Sequence, residues 1–174
     1  MVRMLMQEAT AIIALGSNLG DPQQTVSRAI ARLEDLSNGP LVKSSLWESE
    51  PVDCPPESPK FVNAVVGLTP HPGETPESLL AKLQAIEKEF GRQSKKLLNE
   101  PRPLDLDLIA FGAEVRKTPE LVLPHPRAHQ RRFVLQPLSE IAPVLVLPGQ
   151  SRNVADLLHA LPQNPAVIKL VARS

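Results

Sequence analysis

Asp105 and Asp107 stand two residues apart in the run Leu104-Asp105-Leu106-Asp107-Leu108-Ile109. An extended chain sends successive side chains to opposite faces, so both carboxylates share one face and the leucines the other, with the two aspartate Cα atoms about 7 Å apart. Aspartate is depleted in strands, and two like charges at this spacing repel unless a cation lies between them. A hard divalent cation such as Mg²⁺ takes oxygen ligands and commonly links one or two carboxylates to substrate phosphates. The same alternation also describes an ordinary solvated face of a half-buried strand. The neighbouring cations bear on the choice: Arg92, Lys95, Lys96 and Arg102 precede the pair, and Arg127, Arg131 and Arg132 follow it. Acids that hold metal, ringed by guanidinium and ammonium groups for the remaining oxygens, are the parts of a phosphoryl-transfer site. Solvated loops with scattered charge are the alternative, which suits Lys95, Lys96 and Arg132 individually.

Three further groupings carry chemical potential. His125 and His129 lie in Leu123-Pro-His-Pro-Arg-Ala-His-Gln-Arg131. A histidine here can hydrogen-bond a phosphate, exchange a proton near neutral pH, or simply be structural. A zinc site shared by the two lacks an evident third ligand. Gly16-Ser-Asn-Leu-Gly20 joins an apolar run to a helix start and so resembles a phosphate-cradling turn. It lacks the Lys-Ser/Thr ending of a P-loop and the three-glycine dinucleotide pattern, and a tight strand-to-helix turn explains it better. Phe61 and Asn63 share a strand face, where a ring beside an amide can stack on and hydrogen-bond a flat heterocycle, or can serve as core plus one buried polar group.

The elements that must position these residues follow from periodicity. Ala11 to Leu15 is a buried strand closed by the glycine turn. Asp21-Pro22 supplies an N-cap and first-turn proline to a helix whose Val26, Ala29, Ile30, Leu33 and Leu36 recur at helical spacing. Leu41 to Glu50 reads as a strand with mixed faces, and Pro51 to Pro59, rich in proline, as a loop. Lys60 to Thr69 is a Val-rich strand, and Thr75-Pro-Glu caps a helix to about Phe90, closed by Gly91. After a polar, basic stretch at 92–103, Leu104 to Phe111 is a strand and the surroundings of Val115 and Leu121 to Leu123 a small hairpin. A helix over about Gln130 to Glu140, a strand at Val144 to Leu147, a helix at Asn153 to Ala160 and a strand at Val167 to Val171 complete the pattern. The order strand, helix, strand, strand, helix, strand predicts an α+β fold with a ferredoxin-like split βαβ core and additional C-terminal elements.

Composition sets the outer bounds. The chain has 174 residues, 42% of them apolar, which suffices for one domain over 1–174 without staples. Its 19 basic residues match 19 acidic ones, which argues against coating nucleic acid by bulk charge, so a bound polyanion must meet a local cluster. Cys54 is the sole cysteine and suits a reducing compartment. The N-terminal stretch is too short and interrupted for a signal peptide, and no apolar run reaches the roughly 20 residues of a membrane span. The expectation is a soluble cytoplasmic protein with neither membrane nor nucleic acid among its partners. Only five aromatics occur, Trp47, Phe61, Phe90, Phe111 and Phe133, so each ring invites the question of what it stacks on.

Taken together, IALGSNLGD at 13–21, FVNAVV at 61–66, QAIEKEFGR at 84–92, PRPLDLDLIAFG at 101–112 and LPHPRAHQRRFVLQPLSEIAP from Leu123 to Pro143 resemble the 6-hydroxymethyl-7,8-dihydropterin pyrophosphokinases of folate synthesis. The resemblance implies a monomer of ferredoxin-like fold that transfers the terminal diphosphate of ATP to the hydroxymethyl group of a reduced pterin, releasing AMP. It implies that Asp105 and Asp107 hold two Mg²⁺ ions along the triphosphate, that Arg92, Arg102 and Arg131 neutralise phosphates with His125 beside them, and that Gln84 and Glu87 lie near the nucleotide. It further implies that Asn63 meets the pterin edge, that Phe61 and Phe133 sandwich the ring, and that the main chain through Val52 completes the pocket. Phe61 stands where the family usually has tyrosine, Pro126 where some members have tyrosine, and Ser94 to Glu100 where many have a Trp-Gly pair and further arginines. A Mg²⁺-dependent phosphotransferase with another acceptor, a ferredoxin-like binding module and a degenerate homologue are the competing readings. A nucleic-acid-binding sheet would not carry Asp105 and Asp107 on its strands without metal, and a degenerate homologue would be expected to lose the acidic pair first.

Overall fold

A computed structural model describes residues 10–50, 59–91, 103–163 and 167–170. Its frame is an antiparallel sheet built around β1 (Ala11–Ser17) and β4 (Phe61–Leu68), with β5 (Asp105–Phe111) on the far side of β1. On the other side of β4 lie β2 (Val42–Lys43) and β3 (Trp47–Ser49), and β3 in turn pairs with the short edge strand β8 (Val167–Lys169). A separate two-stranded ribbon joins β6 (Arg116–Lys117) to β7 (Val122–Leu123). Among the described residues no helix is long and apolar enough to cross a membrane.

Both faces of the sheet are covered, which explains why β1 is apolar at nearly every position. On one face Ile13, Leu15, Val62, Ala64, Leu106 and Leu108 pack under α1 (Pro22–Glu34) and α2 (Pro76–Glu89). Asp21 caps α1 by accepting the Gln24 N–H, and Thr75 with Ser78 forms a reciprocal box at the start of α2. The opposite face packs Ile12, Ala14, Val65 and Ile109 against Val134, Leu135, Leu138 and Ile141 of α3 (Arg132–Ile141), with Val154 of α4 (Val154–Ala160) behind them.

Two expected strands differ. Leu41 to Glu50 is interrupted because the Ser44 backbone N–H donates to the Val65 carbonyl while the Ser44 hydroxyl accepts the Val65 N–H, so a side chain replaces a ladder group and splits β2 from β3. Val144 to Leu147 is not a strand: Pro143 and Pro148 flank it, Val144 is 73% exposed, and the Leu145 carbonyl accepts from Val154 N–H rather than from a neighbouring strand.

Candidate functional site

Register places the chemistry. Asp105 pairs with Gly16, Gly16 with Asn63, and Asn63 with Trp47, so these four residues form one row across the sheet. Asp107, Ala14 and Val65 form the next row on the same face. That face is the one α3 covers, yet the two half-buried aspartates lie beyond its apolar cover, and the strand changes from Asp to Ile109 where the cover begins. The residues opposite the acids on β1 are glycine and alanine, so little bulk fills the floor beside them. A Cβ built on Gly16 would sit 3.5 Å from Asn63 Oδ1 and 3.7 Å from the Phe61 ring, which puts amide and ring side by side over that floor. Asn63 is 4% exposed, and its amide nitrogen donates to Ser49 Oγ at 2.6 Å, which fixes the amide in place.

The bulge in β5 brings the histidine in. The β1–β5 register shifts by one residue at Ile109, and the Ile109 carbonyl accepts the His125 backbone N–H at 2.8 Å. His125 Nδ1 accepts the Arg127 N–H at 3.2 Å, so the neutral ring carries its proton on Nε2, available as a donor. Burial first, then the charges of Arg131 and Arg127, push the His125 pKa down from 6.5 to about 4, against the opposing pull of Asp105. Histidine, two arginines and one of the acids are therefore electrostatic neighbours. Arg131 also lies over the Phe133 ring, 5.4 Å from its centre. α1, α2 and α4 have side-chain caps, whereas α3 begins at Arg131 and Arg132 with no side-chain cap and no acidic residue in its first turn. The start of this helix thus presents positive charge of both dipole and side chain.

Gln84 and Glu87 come from the other layer. Gln84 is exposed on α2, and Glu87 one turn later accepts the Leu106 N–H at 2.9 Å, anchoring the outer edge of β5. Arg132 is committed elsewhere, donating to the Leu161 and Pro162 carbonyls. Arg92, Arg102 and Val52 lie outside the described residues, as do Lys95 and Lys96. Among the described residues no group of three or more His, Cys, Asp or Glu could hold a metal ion.

Sequence reasoning missed Ser17 and Asn18, taken only as part of a turn. Ser17, wholly buried, donates to the Pro103 carbonyl at 2.6 Å, and Asn18, 1% exposed, donates to the Pro59 carbonyl at 3.2 Å. The end of β1 thereby pins the points where the chain returns from 51–58 and from 92–102. Two consecutive small polar residues after a fully apolar strand were the available signal.

Comparisons with known proteins identify the family. The family model of 7,8-dihydro-6-hydroxymethylpterin-pyrophosphokinase matches residues 12–143. A 2-amino-4-hydroxy-6-hydroxymethyldihydropteridine pyrophosphokinase of Pseudomonas aeruginosa is 42% identical over 151 residues, covering 86% of this chain and 90% of that one. The protein of the same name from Haemophilus influenzae is 43% identical over 150 residues, covering 86% and 91%. Among solved structures, a Plasmodium falciparum HPPK-DHPS with pteroate superposes with a TM-score of 0.66 at 13% identity, over 86% of this chain and 42% of its own, a likeness of fold alone. The chain thus spans under half of that Plasmodium structure and nearly all of these two bacterial relatives. It belongs to the 7,8-dihydro-6-hydroxymethylpterin-pyrophosphokinase family.

Proposed function

We propose that the chain transfers the terminal diphosphate of ATP to the hydroxymethyl group of 6-hydroxymethyl-7,8-dihydropterin, releasing AMP, as a step of folate synthesis. The observation that carries the reading is the row Asp105, Gly16, Asn63, in which one strand, bearing no side chain at Gly16, separates an acid from a fixed amide. The acceptor hydroxyl oxygen attacks the β-phosphorus in line, a new O–P bond forms, and the bond from the β-phosphorus to the α,β-bridging oxygen breaks with its electrons leaving on AMP. The hydroxyl proton departs to solvent or phosphate. Little covalent work falls to the protein, so positioning and charge neutralisation do most of the catalysis.

Asp105 and Asp107 would hold two Mg²⁺ ions, their hard oxygen donors and shared face suiting that role. When bound, such ions neutralise the oxygens of the transferring group. Arg131 balances phosphate charge with Arg92 and Arg102, while the neutral His125 ring donates through Nε2. Gln84 and Glu87 flank the nucleotide at the outer edge of β5. Asn63 reads the pterin edge, Phe61 and Phe133 cover its faces, and Val52 is assigned to the same substrate. A ferredoxin-like description of the core is supported by the sheet order β5, β1, β4, β3, the outcome expected of a split βαβ pair. The reading takes the molecule as a cytosolic monomer of one domain over 1–174; for the single domain, one sheet that unites β1 with β8 is the support.

Asp105→Ala and Asp107→Ala test the assignment. Each should lower turnover by about 10²-fold or more, since removing one transition-state stabiliser commonly costs that much. Thermal unfolding should move by only a few degrees, because the half-buried acids contribute little to the core. Turnover near the unsubstituted level in both variants would sink the metal-pair reading.

A further inference from the structure

Glu140, near the end of α3, makes contacts that the reaction itself does not call for. Its Oε1 accepts the Ser45 backbone N–H at 2.9 Å and the Trp47 indole N–H at 2.7 Å, and its Oε2 accepts the Ser45 hydroxyl at 2.8 Å. Lys169 of β8 adds an ion pair at 3.7 Å. One carboxylate therefore joins α3 to the strand segment beside the site, because Trp47 is the register neighbour of Asn63. At the other end of the same helix stand Arg131 and Phe133. Phe133 precedes Glu140 by seven residues, two helical turns, so both lie on about the same side of α3.

The first turns of α3 are weakly held from within. The helix has no side-chain cap, and Pro137 inside it has no N–H to offer the Phe133 carbonyl. Its position depends on its apolar face, on Arg132 bonded to the Leu161 and Pro162 carbonyls, and on Glu140. Of these, Glu140 alone forms hydrogen bonds to the β2–β3 segment among the bonds of the described residues.

We infer that Glu140 is a positioning residue that sets the width of the pterin slot, holding the helix that bears Phe133 at a fixed distance from the strands that bear Asn63. This rests on the reading that Phe133 and Asn63 meet the pterin. Loss of the anchor lets α3 drift and loosens stacking on the acceptor, while ATP, held by the acid pair and the cations, is little affected.

The test measures KM for each substrate, and kcat, in the full chain. A stacked ring pair is worth roughly two- to tenfold in affinity, so Glu140→Ala should raise KM for the hydroxymethyldihydropterin by about fivefold and leave KM for ATP within about twofold. Glu140→Gln keeps an acceptor for Ser45 N–H and Trp47 Nε1 and should restore most of the loss. If slot width acts through the ring, adding Glu140→Ala to Phe133→Ala should raise the pterin KM by less than about twofold beyond Phe133→Ala alone. Equal increases in both KM values, an unchanged pterin KM, or full additivity with Phe133→Ala would each overturn the inference. Should Glu140→Ala fail to fold, Ser45→Ala and Trp47→Phe each remove one arm and should raise the pterin KM alone by about twofold; no change in either would overturn it. A normal pterin KM in Phe133→Ala would overturn the stacking reading together with this inference. A raised KM there with none in Glu140→Ala overturns this inference alone.

Discussion

His125 shows how one residue's surroundings select its chemistry. Its ring is partly withdrawn from water and faces Arg131 and Arg127, so the cationic form is disfavoured and the pKa falls to about 4. A neutral imidazole donating through Nε2 adds a hydrogen bond without adding a titrating charge in the physiological range. The sign of the stability effect follows. Between 6.5 and about 4 the unfolded chain binds a proton at this position and the folded chain does not, so stability is full above that window and is lost as pH falls through it. His125→Asn, whose Oδ1 takes the place of Nδ1 as acceptor for the Arg127 N–H, removes this dependence. Urea midpoints measured near pH 7 and about pH 5 should fall further for the unsubstituted protein than for the variant; equal falls would mean that His125 does not titrate as described.

At the scale of elements, the site depends on how edges and ends are secured. β5 is an edge strand that carries both acids, and Glu87 accepts the Leu106 N–H on its outer side. Glu87→Ala leaves that donor without its carboxylate and should cost about 1 kcal/mol, with a several-fold fall in turnover as the acids lose their register. Glu87→Gln retains an acceptor and should stay close to the unsubstituted protein in both respects. Equal losses in the two variants, measured by denaturation and by turnover, would show that the charge at this position matters rather than the anchor. The sequence made this helix legible, since Thr75-Pro76 and the Leu79, Leu83, Ile86 spacing mark its start and buried face. The bond from β5 to Glu87 of α2 was not legible, because a contact between layers leaves no periodic trace. Nor was the break at Ser44, where a hydroxyl takes over a backbone role, or the absence of a strand at Val144 to Leu147, an apolar run whose Leu145 carbonyl is taken by the Val154 N–H.

Across the whole molecule, the sheet separates two tasks. The face under α1 and α2 is continuously apolar, and the face under α3 is apolar for part of its length and then gives way to Asp105, Asp107, Gly16 and Asn63. The acid pair, the glycine turn and the phenylalanine-asparagine pair were each visible as local patterns. Their arrival in adjacent rows depends on strand register, which couples Gly16 to Asn63 and to Asp105, residues far apart in the chain. The proposed hold of a triphosphate by a chain with 19 positive and 19 negative residues rests on this partition, with Asp105 and Asp107 on one strand and cations in the flanking sequence. The central claim is diphosphate rather than monophosphate transfer, and product identity tests it most directly. Incubation with ATP, Mg²⁺ and 6-hydroxymethyl-7,8-dihydropterin, followed by separation of the nucleotides, should yield AMP in equal amount to the diphosphorylated pterin; ADP as the nucleotide product, or no pterin-dependent AMP, would contradict it.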